Sequence, residues 1–465
     1  MRWAGIMSAA FLWAFCSSAG AVAQEMQDIA EVRSILREAS ALVPKIEELQ
    51  QGSAAANIAA QQAAAGDLGG ALTTIRLLND QRQGSAIYCP AYALTAHGNW
   101  RVAMQIIGDL PKGASRAYAH SAVASQLAER GDFEDALAVA RVIREGPDPM
   151  PSLADVLMRI CAEQWTAGDV PGALDTLGQA VDAIEHWGGT SGWPGLAIAY
   201  RYGNLIQTLA ATGHSQAASV VVERLYAMAA QERDPDKRQP IVGQLARSQA
   251  AMADFPAALG SIGRLPPGRE RDAAMLSVIE EQARHGDPAG ARLLATEIPQ
   301  KAWDSLSLRE FAYALGDAGD SFGALAMIEK IQGTADRAYA LAQLALNQAE
   351  KSDASAALTA MLAMEASEAA GNPDPFVLEF IAVTRGAFGD FPGALQIING
   401  LDDKAKVWPL WNVTEQMVAA GKKSEALALA HSQEAPHPRA YALMGTATEW
   451  LEEIEAASKK AGGAK

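Results

Sequence analysis

One short phrase recurs along this chain, and no other feature narrows its possible folds so far. It reads Gly-Asp, two or three variable residues, then Ala-Leu. It is clearest at Gly131-Asp132-Phe133-Glu134-Asp135-Ala136-Leu137 and at Gly389-Asp390-Phe391-Pro392-Gly393-Ala394-Leu395. With the glycine as anchor, the equivalents are Gly66, Gly98, Gly131, Gly168, Gly213, Ala253, Gly286, Gly319, Ser352, Gly389 and Gly421. Successive anchors lie 32 to 45 residues apart, mostly 32 or 33. A period of this length marks an array of small stacked units.

The columns around the anchor define the unit. Five residues after it stand Ala71, Ala103, Ala136, Ala173, Ala218, Ala258, Ala291, Ala324, Ala357, Ala394 and Ala426. An unbroken alanine column implies two helices too close for a larger side chain. Nine residues after the anchor come apolar groups such as Ile75, Ile107, Leu177, Ile262 and Ile398. Twelve after it come Leu78, Leu110, Ile143, Leu225 and Leu401. Offsets of 5, 9 and 12 form one stripe of an α-helix. Eight residues before the anchor are Ile58, Val123, Ile160, Leu205, Leu245, Val278, Phe311, Leu344, Ile381 and Val413, with Pro90 as the exception. Seven before it, small residues dominate, among them Ala59, Ala124, Cys161 and Ala382. Each unit therefore reads as helix, Gly-Asp turn, helix. The glycine suits the left-handed position that ends the first helix, and the aspartate suits the N-cap of the second.

These residues resemble the tetratricopeptide repeats over roughly residues 52 to 436. That family pairs a large aliphatic with a small residue in its first helix and has Gly-Asp or Gly-Asn at the turn. It places alanine five positions later. The family's Trp and Tyr in the first helix are mostly replaced here by smaller groups, and many units are slightly shorter. The resemblance implies an all-α fold, a right-handed α-solenoid of about 11 helix-turn-helix repeats. It implies too that the concave face, lined by first helices, holds a segment of a partner. Residues 24–51 read as an N-terminal capping helix, and 437–465 as a C-terminal capping helix with a frayed tail from Ala456.

Residues 1–23 read as a secretory signal. Arg2 gives the positive start, an apolar stretch runs from Ala4 to Phe15, and Ala21-Val22-Ala23 supplies the small-residue cleavage pattern. Bulky Phe15 before Cys16 argues against a lipoprotein. The expectation is a periplasmic or secreted protein without stable membrane insertion, since the apolar run is short for a span. Cys89 and Cys161 fall two units apart and read as small packed residues, not a disulfide. A net charge of −16 with no basic stripe disfavours nucleic acid.

Catalysis needs converging groups, and the sequence offers none. The seven histidines are scattered, with His97, His214 and His285 beside anchors. No HExxH, paired CxxC, GxSxG or phosphate loop occurs. No enzyme activity, metal or cofactor is expected. Two features are candidate partner contacts. Arg116, Arg238, Arg271 and Arg337 each lie 15 residues before an anchor, with Arg439 in the equivalent place of the last helix. They form either a ladder for partner carboxylates or structural ion pairs with acids such as Asp132 or Asp287. The longest inter-anchor gap holds Trp187 and Trp193 among glycines, either a contact loop or tryptophans folded onto the core. Trp408 and Trp411 lie within a first helix and read as packing. The leading expectation is an interaction scaffold for a protein or peptide. The alternatives are a glycan-active enzyme using groove carboxylates and a self-associating structural protein.

Overall fold

The computed structural model describes residues 24–77, 87–108, 114–144, 153–186, 194–299, 302–371 and 374–462. The expected signal segment, 1–23, lies outside them. Among the described residues there is no strand. Helix α1 (24–42) stands first. Pairs of helices follow: α2 (Glu48–Ala64) with α3 (Leu68–Arg76), α4 (Tyr88–Ala96) with α5 (Trp100–Gly108), and α6 (Ala114–Glu129) with α7 (Phe133–Arg144). Next come α8 (Leu153–Thr166) with α9 (Val170–His186), α10 (Pro194–Ala211) with α11 (Ser215–Gln231), and α12 (Pro235–Ala251) with α13 (Phe255–Ile262). Then α14 (Arg269–Arg284) with α15 (Pro288–Ala295), α16 (Ser305–Asp317) with α17 (Ser321–Ile328), and α18 (Thr334–Glu350) with α19 (Ala356–Ala369). The last are α20 (Pro375–Ala387) with α21 (Phe391–Gly400), α22 (Val407–Ala419) with α23 (Lys423–Ser432), and a final first-type helix α24 (Pro436–Gly462).

All eleven anchors occupy the left-handed region, including the two that are not glycine: Ala253 at φ 61° and Ser352 at φ 57°. The residue after the anchor sends its N–H back to the first helix. Asp67 donates to the Gln62 carbonyl at 2.7 Å and Asp320 to that of Leu315 at 2.8 Å, which closes the helix end. Its carboxylate then caps the second helix. Asp67, Asp169, Asp254, Asp287, Asp320 and Asp390 each accept the N–H three residues on, at 2.9 to 3.2 Å. That third residue is often glycine. A Cβ on Gly172 or Gly290 would sit 2.1 Å from Oδ2 of the aspartate that caps through Oδ1.

The alanine column is buried as expected in ten units, each alanine at most 1% exposed. The Ser352 unit departs from it. There Ala357 is exposed and Ala356 takes the buried place. The cause is local: Asp353 accepts the N–H of Ser355 in an extra turn, so α19 starts at Ala356 and the register slides by one. The column eight before the anchor is fully buried, Leu344 being the most exposed at 2%. Some pairs add a polar clip between their helices. Thr74 donates to Gln62 at 2.6 Å, and Ser261 to Gln249 at 2.7 Å. Cys161 is buried, Cys89 is half-buried, and both are free thiols.

Within each of two compact units the helix pairs stack in the manner of an all-α solenoid, first helix beside first helix, with second helices packed on their own partners. Unit 1 comprises Met1–Leu110 and Gly389–Lys465; unit 2 comprises Pro111–Phe388. In unit 2 the first helices follow one another from α6 to α20. In unit 1 the two ends of the chain come together. Ser458, near the end of α24, donates to Glu25 at the start of α1 (2.7 Å), and Glu38 near the end of α1 binds Arg439 and His431 (3.1 Å to His431). Helix α1 thus runs antiparallel to α24 as a second helix does to its first, and completes a pair whose halves come from opposite termini. The helices expected as caps at 24–51 and 437–465 cover each other, and α24 stays helical through Gly462, past the expected fraying point.

Two stability predictions follow from this geometry. Ala253→Gly and Ser352→Gly should each stabilise the fold by about 0.5–1 kcal/mol, because a left-handed Cβ is costly. Urea denaturation would read the shift, and a loss of stability would contradict the assigned turn. Ala258→Leu and Ala356→Leu should each cost about 1–3 kcal/mol by overpacking, while Ala357→Leu should change stability by no more than about 0.5 kcal/mol.

Candidate exposed face of the first helices

A position 13 residues before the anchor lies five from the buried column, about 140° round the helix. It therefore points away from the buried stripe, in the first or second turn of the first helix. In unit 2 the position holds Asp155, Pro240 and Ala273 in three repeats and in unit 1 it holds Ser53, while large side chains occupy it as Tyr118, Tyr200, Leu306, Tyr339 and Phe376 in unit 2 and as Trp408 and the equivalent Tyr441 in unit 1. Most of these are exposed, from 38% at Trp408 to 63% at Phe376. Tyr339 is half-buried. The Arg309 guanidinium lies 5.1 Å from its ring centre, and Phe380 packs edge-on at 5.6 Å. Tyr441 is covered by Trp411 at 5.5 Å and His437 at 5.0 Å, and its hydroxyl accepts from Asn57 at 3.4 Å. The aromatic column was legible in the sequence, two residues beyond the arginine column, but only once the first-helix register was set from both stripes.

Two carboxylates share this face, each six residues before an anchor. Burial pushes the Glu280 carboxyl up to about 7; Arg284 opposes this with Nη2 at 4.0 Å, and Glu310 and Glu281 add to it. Burial likewise pushes Glu415 up to about 7, against a hydrogen bond from the Trp411 indole N–H and with repulsion from Glu449 and Glu452. Each group can hold or release a proton near neutrality, and each sits at a contact between neighbouring first helices.

The arginine column does not act as one device. Arg337 donates through Nη2 and Nε to the Ile331 carbonyl, at 2.8 and 3.3 Å, tying its helix to the preceding one. Arg439 binds Glu38. Burial raises the Glu38 carboxyl, but hydrogen bonds from Arg439 and His431 outweigh it and hold the group below its ordinary value. Arg116 is half-buried beside His120, which burial and the Arg116 charge push down to about 4. Arg271 is half-buried and Arg238 exposed. The acids suggested for ion pairs are engaged elsewhere. Asp132 pairs with Arg130 at 3.4 Å, and Asp287 caps Gly290 and accepts from Gln282 at 2.7 Å. Trp187 and Trp193 lie outside the described residues. Trp411 packs, whereas Trp408 is partly exposed. Two anchor histidines bind the preceding unit, His214 at 2.9 Å from Thr166 Oγ1 and His285 at 3.3 Å from the Ala251 carbonyl.

Among the described residues, no group of His, Cys, Asp or Glu is placed to hold a metal, and no helix is long and apolar enough to cross a membrane. No family model and no curated protein matches the chain. Two solved structures are similar at low level. The crystal structure of Ton1535 from Thermococcus onnurineus NA1 is 15% identical, with TM-score 0.27, covering 83% of this chain and 96% of that one. A circular tandem repeat protein with novel repeat topology and enhanced subunit contact surfaces is 12% identical, with TM-score 0.21, covering 94% and 99%.

The raised Glu280 carboxyl has a consequence for stability. Its folded value, about 7, lies above the ordinary 4.5. The unfolded chain therefore loses its proton first, and the folded state is penalised progressively as pH rises from about 4.5 to about 7. Glu280→Gln should be near neutral at about pH 4 and stabilising at about pH 8. Thermal melts at the two pH values would read this, and equal effects at both would contradict it.

Proposed function

We propose that this protein is an exported scaffold for protein–protein interaction, built of tetratricopeptide-like repeats, that holds an extended segment of a partner along the exposed face of its first helices. The observation that carries this reading is the register of solvent-facing aromatic and apolar side chains. Tyr118, Tyr200, Leu306 and Phe376 in unit 2 recur at one helical position that the core does not need. Aromatic anchors surrounded by weaker contacts are how such surfaces gain affinity. The apolar stretch and small-residue site in residues 1–23 support export to the periplasm or beyond, and the −16 charge supports a protein partner over nucleic acid.

A second reading, action on a glycan, has one observation in its favour: Glu280 is held near neutrality with Glu310 beside it. Retaining and inverting hydrolysis both employ one protonated and one ionised carboxyl. Glycan turnover that Glu280→Gln abolished would establish that reading.

The test of the scaffold is photo-cross-linking in living cells from Tyr200 and Phe376, compared with exposed Leu358 on a second helix. Discrete adducts at the first two and none at Leu358 are expected. The double variant Tyr200→Ala, Phe376→Ala should lower partner affinity about tenfold or more without changing the melting temperature. Absence of any adduct at Tyr200 and Phe376 would contradict the proposal. Arg271→Ala separates the two roles of its column: a lower melting temperature with unchanged binding assigns it to structure.

A further inference from the structure

A separate cavity of about 490 Å³ opens among the second helices of unit 2. It lies at the ends of two short second helices. Helices α15 and α17 have 8 residues each, whereas α9 and α11 have 17. Beyond their ends lies the first turn of α16, which contributes Leu308 to the cavity. Ile298, Trp303, Leu308 and Met327 form an apolar side, and Thr296 and Gln332 add polar wall. Two cations, Arg292 and Lys330, also line it. Arg292 Nη1 is fixed at 3.0 Å from Asp320, whose other oxygen caps α17 through Gly323. One such contact leaves most of the guanidinium fork's donors for a ligand. Lys330 Nζ makes its hydrogen-bond contact with the Met327 thioether, at 3.7 Å, a weak acceptor for an ammonium. A fixed guanidinium and a lightly engaged ammonium over an apolar floor are unusual in a chain of charge −16.

We propose that this cavity binds a small amphiphilic carboxylate, with the apolar body against Trp303, Leu308 and Met327 and the carboxylate between Arg292 and Lys330. The size lies within the range of small-molecule sites, and apolar walls with a few placed polar groups are their usual chemistry. An acidic surface elsewhere leaves these two cations as the local determinant of which head group enters.

The full-length chain would be titrated with decanoate, decanol and decyltrimethylammonium below their aggregation concentrations, by calorimetry and by tryptophan fluorescence. Decanoate should bind with unit stoichiometry, and the alcohol and the cation about tenfold more weakly or not at all. Lys330→Gln and Arg292→Gln should each weaken decanoate several-fold without changing the helical circular dichroism. Ala295→Phe should abolish binding by filling the cavity. If that variant does not fold, exposed Lys330→Glu serves instead, because charge reversal should also abolish decanoate binding. Absence of decanoate binding overturns the proposal. So does equal affinity for decanol, or decanoate binding indifferent to Lys330 and Arg292.

Discussion

Every helix pair in this protein depends on one residue held in the left-handed region at the end of its first helix. That residue reverses the chain, the next one commonly returns a hydrogen bond to the helix just ended, and in six of the described pairs its aspartate side chain caps the second helix. The two helices then meet at an angle that brings the alanine five residues on against the facing backbone. The constraint is strong enough to hold Ala253 and Ser352 where a Cβ costs about 1–2 kcal/mol. In the Ala253 unit the burial of Ala258, Ile262 and Leu265 outweighs that cost. In the Ser352 unit the turn is kept and the following helix yields by one residue.

No pair can bury its apolar flank alone, so the pairs are stabilised chiefly by their neighbours. In unit 1 this demand is met across the two termini. Helix α1 buries Val32, Leu36 and Ala39 and packs along α24 in the manner of a second helix. The polar contacts along that seam, such as Glu38 with Arg439 and Lys404 with Glu47 at 2.9 Å, are partly exposed. Exposed pairs of this kind contribute little stability. They set which residue of one terminus faces which of the other, while apolar burial supplies the cohesion.

The same periodicity that hides one stripe of each first helix turns another outward. Tyr118, Tyr200, Leu306 and Phe376 there are exposed, whereas Tyr339 and Tyr441 pack against neighbouring rings, and the carboxylates Glu280 and Glu415 lie two turns later. Second helices obey a different constraint. Their first turns are bound to the alanine crossing, but their length is not, and past the ends of the short α15 and α17 a cavity lies beside α16.

Much of this was legible in the residues themselves. The recurring anchor, the alanine column and the two aliphatic stripes determined the helix pairs, their turns and their buried faces. These depend on local backbone conformation and on a helical period that sequence spacing records directly. Tertiary structure decided what no spacing could: that Ala356 and not Ala357 is buried, that α1 pairs with α24, and that Arg337 and Arg439 bind different partners. It also decided that Glu280 is desolvated, and that a cavity lies beside Trp303. Each of these rests on atoms brought together from distant positions or on one extra turn residue, and a one-dimensional repeat carries no measure of either.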